Sequence, residues 1–182
     1  MIRVYMAALN YYGKEVWLHM TEQELDFMSE TASDESIDEM KNMYLNFCVD
    51  TETYSIEIRY VHQIVGMQEI NEMPEMPHYM KGFINLRGNI IPVVSMRIRF
   101  HKEEIEFTDR TCIVVTQVAD HQIGLIVDAI RETLTIEPEN IAPPPSSGEY
   151  SGNSYVTGIA KLGDSKTSIV ISLQDLFVNE SF

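Results

Sequence analysis

The sequence predicts an all-β domain, either a barrel or a sandwich. Short strand-like runs recur from Tyr44 onward at ~8–12-residue spacing. Turn-forming clusters separate them, among them Asp50-Thr51-Glu52-Thr53, Asn85-Leu86-Arg87-Gly88-Asn89 and Ala119-Asp120-His121-Gln122. The runs also carry strand signatures: Tyr54-Ser55-Ile56-Glu57-Ile58 alternates apolar and polar, and Arg110–Thr116 is almost continuously apolar.

Residues 1–44 are written differently. Thr21-Glu22-Gln23-Glu24 and Ser36-Ile37-Asp38-Glu39 are capping boxes, each opening a short predicted helix. The first carries Leu25, Phe27 and Met28 to about Glu30, and the second Met40 and Met43. Three basic residues (Arg3, Lys14, Lys41) against nine acidic ones leave this leader at 3 − 9 = −6. A solvated acidic arm and a partner-binding segment both fit that composition.

From Tyr44 the predicted elements follow in order. Tyr44–Val49 and Tyr54–Ile58 flank the first turn. A helical turn near Tyr60 precedes extended chain from Ile64 to Ile70. Pro74 and Pro77 then deny the ladder two N–H donors. After the Asn85–Asn89 turn, Ile90–Ile98 reads as a strand interrupted by Pro92. Arg110–Thr116 and Ile123–Val127 form a hairpin, Ile130–Ile136 is a strand continuing to Ile141, and Pro143–Gly148 is a loop. Tyr155–Leu162 and Thr167–Ile171 pair around Gly163-Asp164, and a Ser172-capped helix closes the run.

Composition bounds the function. At 182 residues, 45% hydrophobic and 23% charged, the chain reads as globular and soluble, one domain or two small ones. No apolar run reaches the ~18–20 residues of a membrane span, and the start, Met1–Met6, is a poor signal peptide. Cys48 and Cys112 read as buried reduced thiols of a cytoplasmic protein. A net charge of −15 argues against nucleic acid. The five histidines show no i, i+4 pairing and no cysteine neighbours, so no zinc site is expected. Phosphate-loop and nucleophile-elbow motifs are missing, and no catalytic residue or cofactor is assigned.

Arg87 stands at a turn between apolar strands, and two readings fit it. One is a surface arginine near a hairpin end. The other is a rigidly held guanidinium whose planar fork of donors a partner reads. Local pattern does not choose between them.

A series of short motifs runs in order along the chain: Tyr54–Ile58, Val61-x-x-Ile64, Pro74-x-x-Pro77-x-Tyr79-x-x-Gly82, Asn85-Leu86-Arg87-Gly88, Ile91-Pro92-Val93-Val94 and Arg97-x-Arg99-Phe100. Gly124-Leu125-Ile126-Val127-Asp128, Ile141-x-Pro143-Pro144 and Gly158–Leu162 complete it. In these pieces, residues 45–177 resemble the CheW family of chemotaxis adaptors. The resemblance implies two packed five-stranded SH3-like β-barrels with a short C-terminal helix. Residues 1–44 would then be an extension and 45–182 the CheW-like domain.

It also implies a function: a non-enzymatic scaffold that couples the cytoplasmic tips of methyl-accepting chemoreceptors to the regulatory domain of the histidine kinase CheA. Such a protein would sit in the cytoplasm at membrane-associated arrays without inserting into the membrane. The family's receptor-facing surface maps to Val61, Asn85 and Arg87. Its kinase-facing surface, mostly on the second barrel, maps to Gly124, Val127 and Ile130. The chain departs from the pattern at Gln63, where glutamate is frequent, and in the length of its leader. Two alternatives stand beside the adaptor of chemotaxis. One is the same adaptor fold in another kinase array. The other is a small-ligand sensor using its Met-rich strands (Met67, Met73, Met76, Met80, Met96) as an adaptable pocket.

Overall fold

The structure is a computed structural model that describes residues 40–118, 120–144, 153–163 and 166–177. Both capping boxes of the leader and the Pro145–Gly148 part of the proline loop lie outside the described residues. Eleven strands are described: β1 (Met43–Val49), β2 (Glu52–Glu57), β3 (Val61–Gly66), β4 (Met80–Leu86), β5 (Asn89–Ser95), β6 (Cys112–Val118), β7 (His121–Val127), β8 (Ala129–Thr135), β9 (Ile141–Ala142), β10 (Val156–Lys161) and β11 (Thr167–Ile171). Helix α1 (Met96–Arg99) follows β5 and α2 (Leu173–Phe177) follows β11.

The strands form two sheets, β3-β6-β7-β5-β4 and β8-β1-β2-β11-β10-β9. The first closes on itself. Beyond β3 the chain returns at Asn71, whose N–H donates to the Phe83 carbonyl at 2.8 Å and whose carbonyl accepts from the Phe83 N–H at 3.0 Å. A barrel closed in this way leaves no free edge around its core. That core is Ile84, Ile91, Val93, Ile113, Val115 and Ile126, all buried. Each such side chain contributes roughly 1.5–3 kcal/mol relative to staying in water. The second sheet closes through one bent segment. β8 pairs with β1, a 3-10 turn at Pro138–Asn140 redirects the chain, and β9 pairs with β10.

The two barrels are the same device built twice. Each has one parallel pairing, β5 with β7 and β2 with β11. Each has a bulged hairpin, β4–β5 and β10–β11, whose last strand runs into a short helix. The strand that begins the first barrel, β3, corresponds to β8–β9 in the second. By this correspondence β1 and β2 are the counterparts of β6 and β7, so the first described strands complete the barrel made mainly by the last ones.

The repeat is written in the residues: Tyr79-x-x-Gly82-x-x-x-Leu86 against Tyr155-x-x-Gly158-x-x-x-Leu162, and Ser95 to Phe100 against Ser172 to Phe177. Ser95 and Ser172 cap the two helices through their hydroxyls. Gly82 and Gly158 sit at the bulges where the closing segment passes. A Cβ at Gly82, whose φ is +132°, would run into the Asn71 carbonyl, and one at Gly158 would lie 2.8 Å from the Ala142 carbonyl oxygen.

Several element boundaries differ from the sequence expectation: Met43, expected on the second leader helix, opens β1, and Glu52-Thr53 and His121-Gln122, expected in turns, begin β2 and β7. The strand expected over Ile90–Ile98 stops at Ser95, because Ser95 caps a helical turn that buries Met96. The extended run expected from Ile64 starts earlier, at Val61, and ends at Gly66. The strand expected to continue from Ile130 to Ile141 is broken by the 3-10 turn. Pro92 is tolerated on a strand flanked on both sides because the ladder with β7 begins one residue later, at Val93. Cys48 and Cys112 are both free, and burial pushes the Cys112 thiol up from its ordinary value.

Replacing Gly82 by alanine combines a left-handed backbone with a collision at the closing bridge. The expected loss is about 2–4 kcal/mol in denaturant unfolding. Gly66→Ala, with open space around it, is the control and should move stability by less than about 0.5 kcal/mol.

Candidate docking surface

The β4–β5 hairpin has a two-residue loop, since Leu86 pairs with Asn89. Both loop residues have positive φ, 53° at Arg87 and 91° at Gly88, which is the geometry of a type I′ turn. The Asn85 side chain fastens it: its Oδ1 accepts from the Gly88 N–H at 2.9 Å. Arg87 is exposed, and its guanidinium makes no hydrogen bond or ion pair with the described residues. Ile90, just beyond the loop, is 64% exposed, the most open large apolar side chain described. Asn85, Arg87 and Ile90 therefore form one protruding tip, with a free cation beside an apolar side chain.

The other residues expected on docking faces are placed differently. Val61 is buried and pairs across to Thr116, whereas Ile64, three residues on, is 43% exposed. Gly124 faces the core of the five-stranded barrel, and Val127, one residue past the core residue Ile126, is buried on the other face of β7. A Cβ at Gly124 would lie 2.8 Å from methyls of both Val93 and Ile113, and Val127 is 1% exposed. They share a sheet with Val61 and Asn85 rather than lying on the second barrel. Chain order misleads here because β6 and β7 stay with β3–β5 while β1 and β2 go to the other barrel. Ile130 is in the six-stranded sheet, half-buried on β8 opposite Phe47.

Sequence reasoning assigned no role to the seam between the barrels. Asp128 is the single residue between β7 and β8, where the chain leaves one sheet for the other. Arg97 of α1 grips it: Nε donates to Oδ1 at 2.9 Å and Nη2 to Oδ2 at 2.8 Å. Arg97 also donates to the Glu103 carbonyl, and Nη2 lies 3.4 Å from Asp50 at the β1–β2 turn. The Asp128 hydrogen bond is the largest influence holding the Arg97 charge above its ordinary range.

Two residues on, Arg99 donates to the Leu176 carbonyl in α2 at 2.7 Å. Its guanidinium faces the rings of Tyr79 and Tyr155, the two tyrosines equivalent in the repeat. A stacked series, Phe47–Tyr54–Phe100–Tyr155, runs alongside with centroids 4.3–6.0 Å apart. The signal that would have found this seam is the doubled Tyr-x-x-Gly and Ser-to-Phe spacing. Among the described residues no cluster of three or more His, Cys, Asp and Glu is arranged to hold a metal ion, and no helix is long and apolar enough to cross a membrane.

Comparison with known proteins adds the family. The model of the CheW-like domain matches residues 43–181. The chain is 32% identical to the chemotaxis protein CheW of Treponema pallidum, covering 73% of this chain and 80% of that protein. It is 31% identical to the chemotaxis protein CheW of Rhizobium meliloti, over 74% and 86% of the two chains. The crystal structure of the scaffolding protein TtCheW from Thermoanaerobacter tengcongensis superposes with a TM-score of 0.69 at 35% identity, over 75% of this chain and 92% of that one.

The Arg97–Asp128 pair is mostly out of water, with side chains 12% and 23% exposed. Arg97→Ala leaves a carboxylate without its fork at the crossover. The expected cost is about 2–4 kcal/mol in urea unfolding. Arg97→Lys should recover only part of it, because an ammonium cannot reproduce the two-point contact.

Proposed function

The chain belongs to the CheW-like family, and from this we propose that it is a chemotaxis scaffold coupling chemoreceptors to the histidine kinase CheA. It works by position rather than by chemistry. Residues 1–44 are an extension to this function and 45–182 carry it. The cytoplasmic tip of a methyl-accepting receptor is one partner and the regulatory domain of CheA the other. Both place the protein at receptor arrays on the inner face of the membrane.

The observation that carries the receptor assignment is the locked Asn85–Gly88 turn. A left-handed φ, an asparagine brace and a glycine fix the backbone under Arg87 before any partner arrives. Binding then costs only the side chain's own freedom, about 0.5–1.5 kcal/mol for a long side chain. Arg87 offers two-point hydrogen bonds to a receptor carbonyl or carboxylate. Asn85 acts through the turn, and Val61 keeps β3 seated so that its outward residues stay in register. On the kinase side, Ile130 is the apolar contact of the six-stranded barrel. Buried Gly124 and Val127 support the strand that leads to it through Asp128.

Arg87→Ala should fold like the parent and lose receptor binding at least several-fold in a titration with a receptor-tip fragment. Unchanged affinity would reduce Arg87 to a surface residue. Ile130→Glu should weaken association with the CheA regulatory domain and spare receptor binding. Equal loss of both, with a lowered melting temperature, would mean that the barrel itself had failed.

A further inference from the structure

Between α1 and β6 the chain crosses residues 102–108 without helix, turn or bend. Every residue from Glu103 to Arg110 is exposed, including two large apolar side chains, Ile105 at 51% and Phe107 at 52%. The segment is anchored at both ends. Lys102 N–H donates to the Arg97 carbonyl and Arg97 Nη1 to the Glu103 carbonyl, while Thr108 N–H donates to the Thr111 hydroxyl. Between those anchors, the backbone groups of Glu104, Ile105, Glu106 and Phe107 make no hydrogen bond with the described residues. A segment without helix, turn or bend, with unused donors and acceptors and apolar side chains two apart, can take up a further strand along its backbone.

We propose that residues 104–107 take up an extended, basic and apolar segment of a partner protein by strand addition. Main-chain hydrogen bonds would give the partner its hold, and alternate side chains its selectivity. Ile105 and Phe107, two apart, would be covered by the partner's apolar residues.

Charge sets the sign of the partner. Among the described residues no cation is paired with Glu103, Glu106 or Asp109. Glu104 is held by Lys81 at 2.8 Å, and Arg110 is the one basic residue in 103–110. A second copy of this chain is a poor occupant, because antiparallel pairing would set carboxylates against carboxylates on molecules of net charge −15.

The test uses the full chain and a short capped peptide alternating lysine with valine. A peptide of the same charge, built from lysine, leucine and alanine at helical spacing, is the comparison. Addition of the alternating peptide should shift the backbone amide resonances of Glu104–Phe107 and protect those amides from exchange. Ile105→Ser with Phe107→Ser should weaken binding about tenfold or more. Glu103→Lys with Glu106→Lys should weaken it further as salt is lowered, opposite to the parent. Glu106→Pro, which removes one amide donor from an exposed position, should weaken it at unchanged melting temperature.

Four results would each overturn the proposal: amide shifts centred elsewhere, full affinity in the serine variant, equal or tighter binding of the helical peptide, or self-association of the chain through this segment.

Discussion

Arg97 holds Asp128 from two nitrogens at the one residue where the chain passes from the first barrel to the second. The same carboxylate accepts from the Asp50 N–H at 2.7 Å, and the Asp128 N–H donates to the Cys48 carbonyl. One aspartate thus ties α1, the β1–β2 hairpin and the crossover together. A guanidinium suits this place because its planar fork matches a carboxylate at two points and still has donors left for Glu103 and Asp50. Arg99 extends the seam to α2 and the paired tyrosines, and Lys102 reaches Glu52 of β2 at 2.9 Å. The barrels are held by charged groups in half-buried positions, with an aromatic stack behind them.

A scaffold needs such a seam. Two closed barrels expose no edges around their cores, and the angle between them is set by what lies in the contact. If that angle wandered, the Arg87 tip on one barrel and Ile130 on the other would hold no fixed spacing. Directional hydrogen bonds from Arg97 and Arg99 limit this more tightly than an apolar contact of the same area, because rotation breaks the two-point geometry.

Much of the candidate surface was legible. The Asn-Leu-Arg-Gly run announced a turn with left-handed residues, and the structure puts both Arg87 and Gly88 there. The alternating run Tyr54–Ile58 announced a strand, which is β2, but not its burial, since Ser55 is buried along with Tyr54 and Ile56. Accessibility was not legible. Val61, Gly124 and Val127 are apolar or small residues on strands, and only packing decides which side of a strand meets the core. The outward residues of the same region, Ile64 and Ile90, carry no mark in the sequence that separates them from their buried neighbours. The buried trio Asn46, Ser55 and Ser168 was equally silent. Nothing in the sequence marks these polar residues as buried, yet their side chains bond to one another inside the six-stranded barrel at 2.6 Å.

Turn chemistry, strand alternation and the capping serines are local properties, since each depends on a few consecutive dihedrals and donors. Composition and these signals alone determined that the described chain is β-rich, where its hairpins turn and that Arg87 stands on a tight loop. Which strands share a barrel is a matter of long-range pairing. β1 joins β8, with Met43 opposite Thr135, and β2 meets β11 in parallel, with Tyr54 opposite Ile169. Only the folded chain decided that, along with the burial of Val127 and the grip of Arg97 on Asp128. The reason is that closing a barrel satisfies backbone groups by bringing distant segments together, and no local pattern encodes which segment arrives.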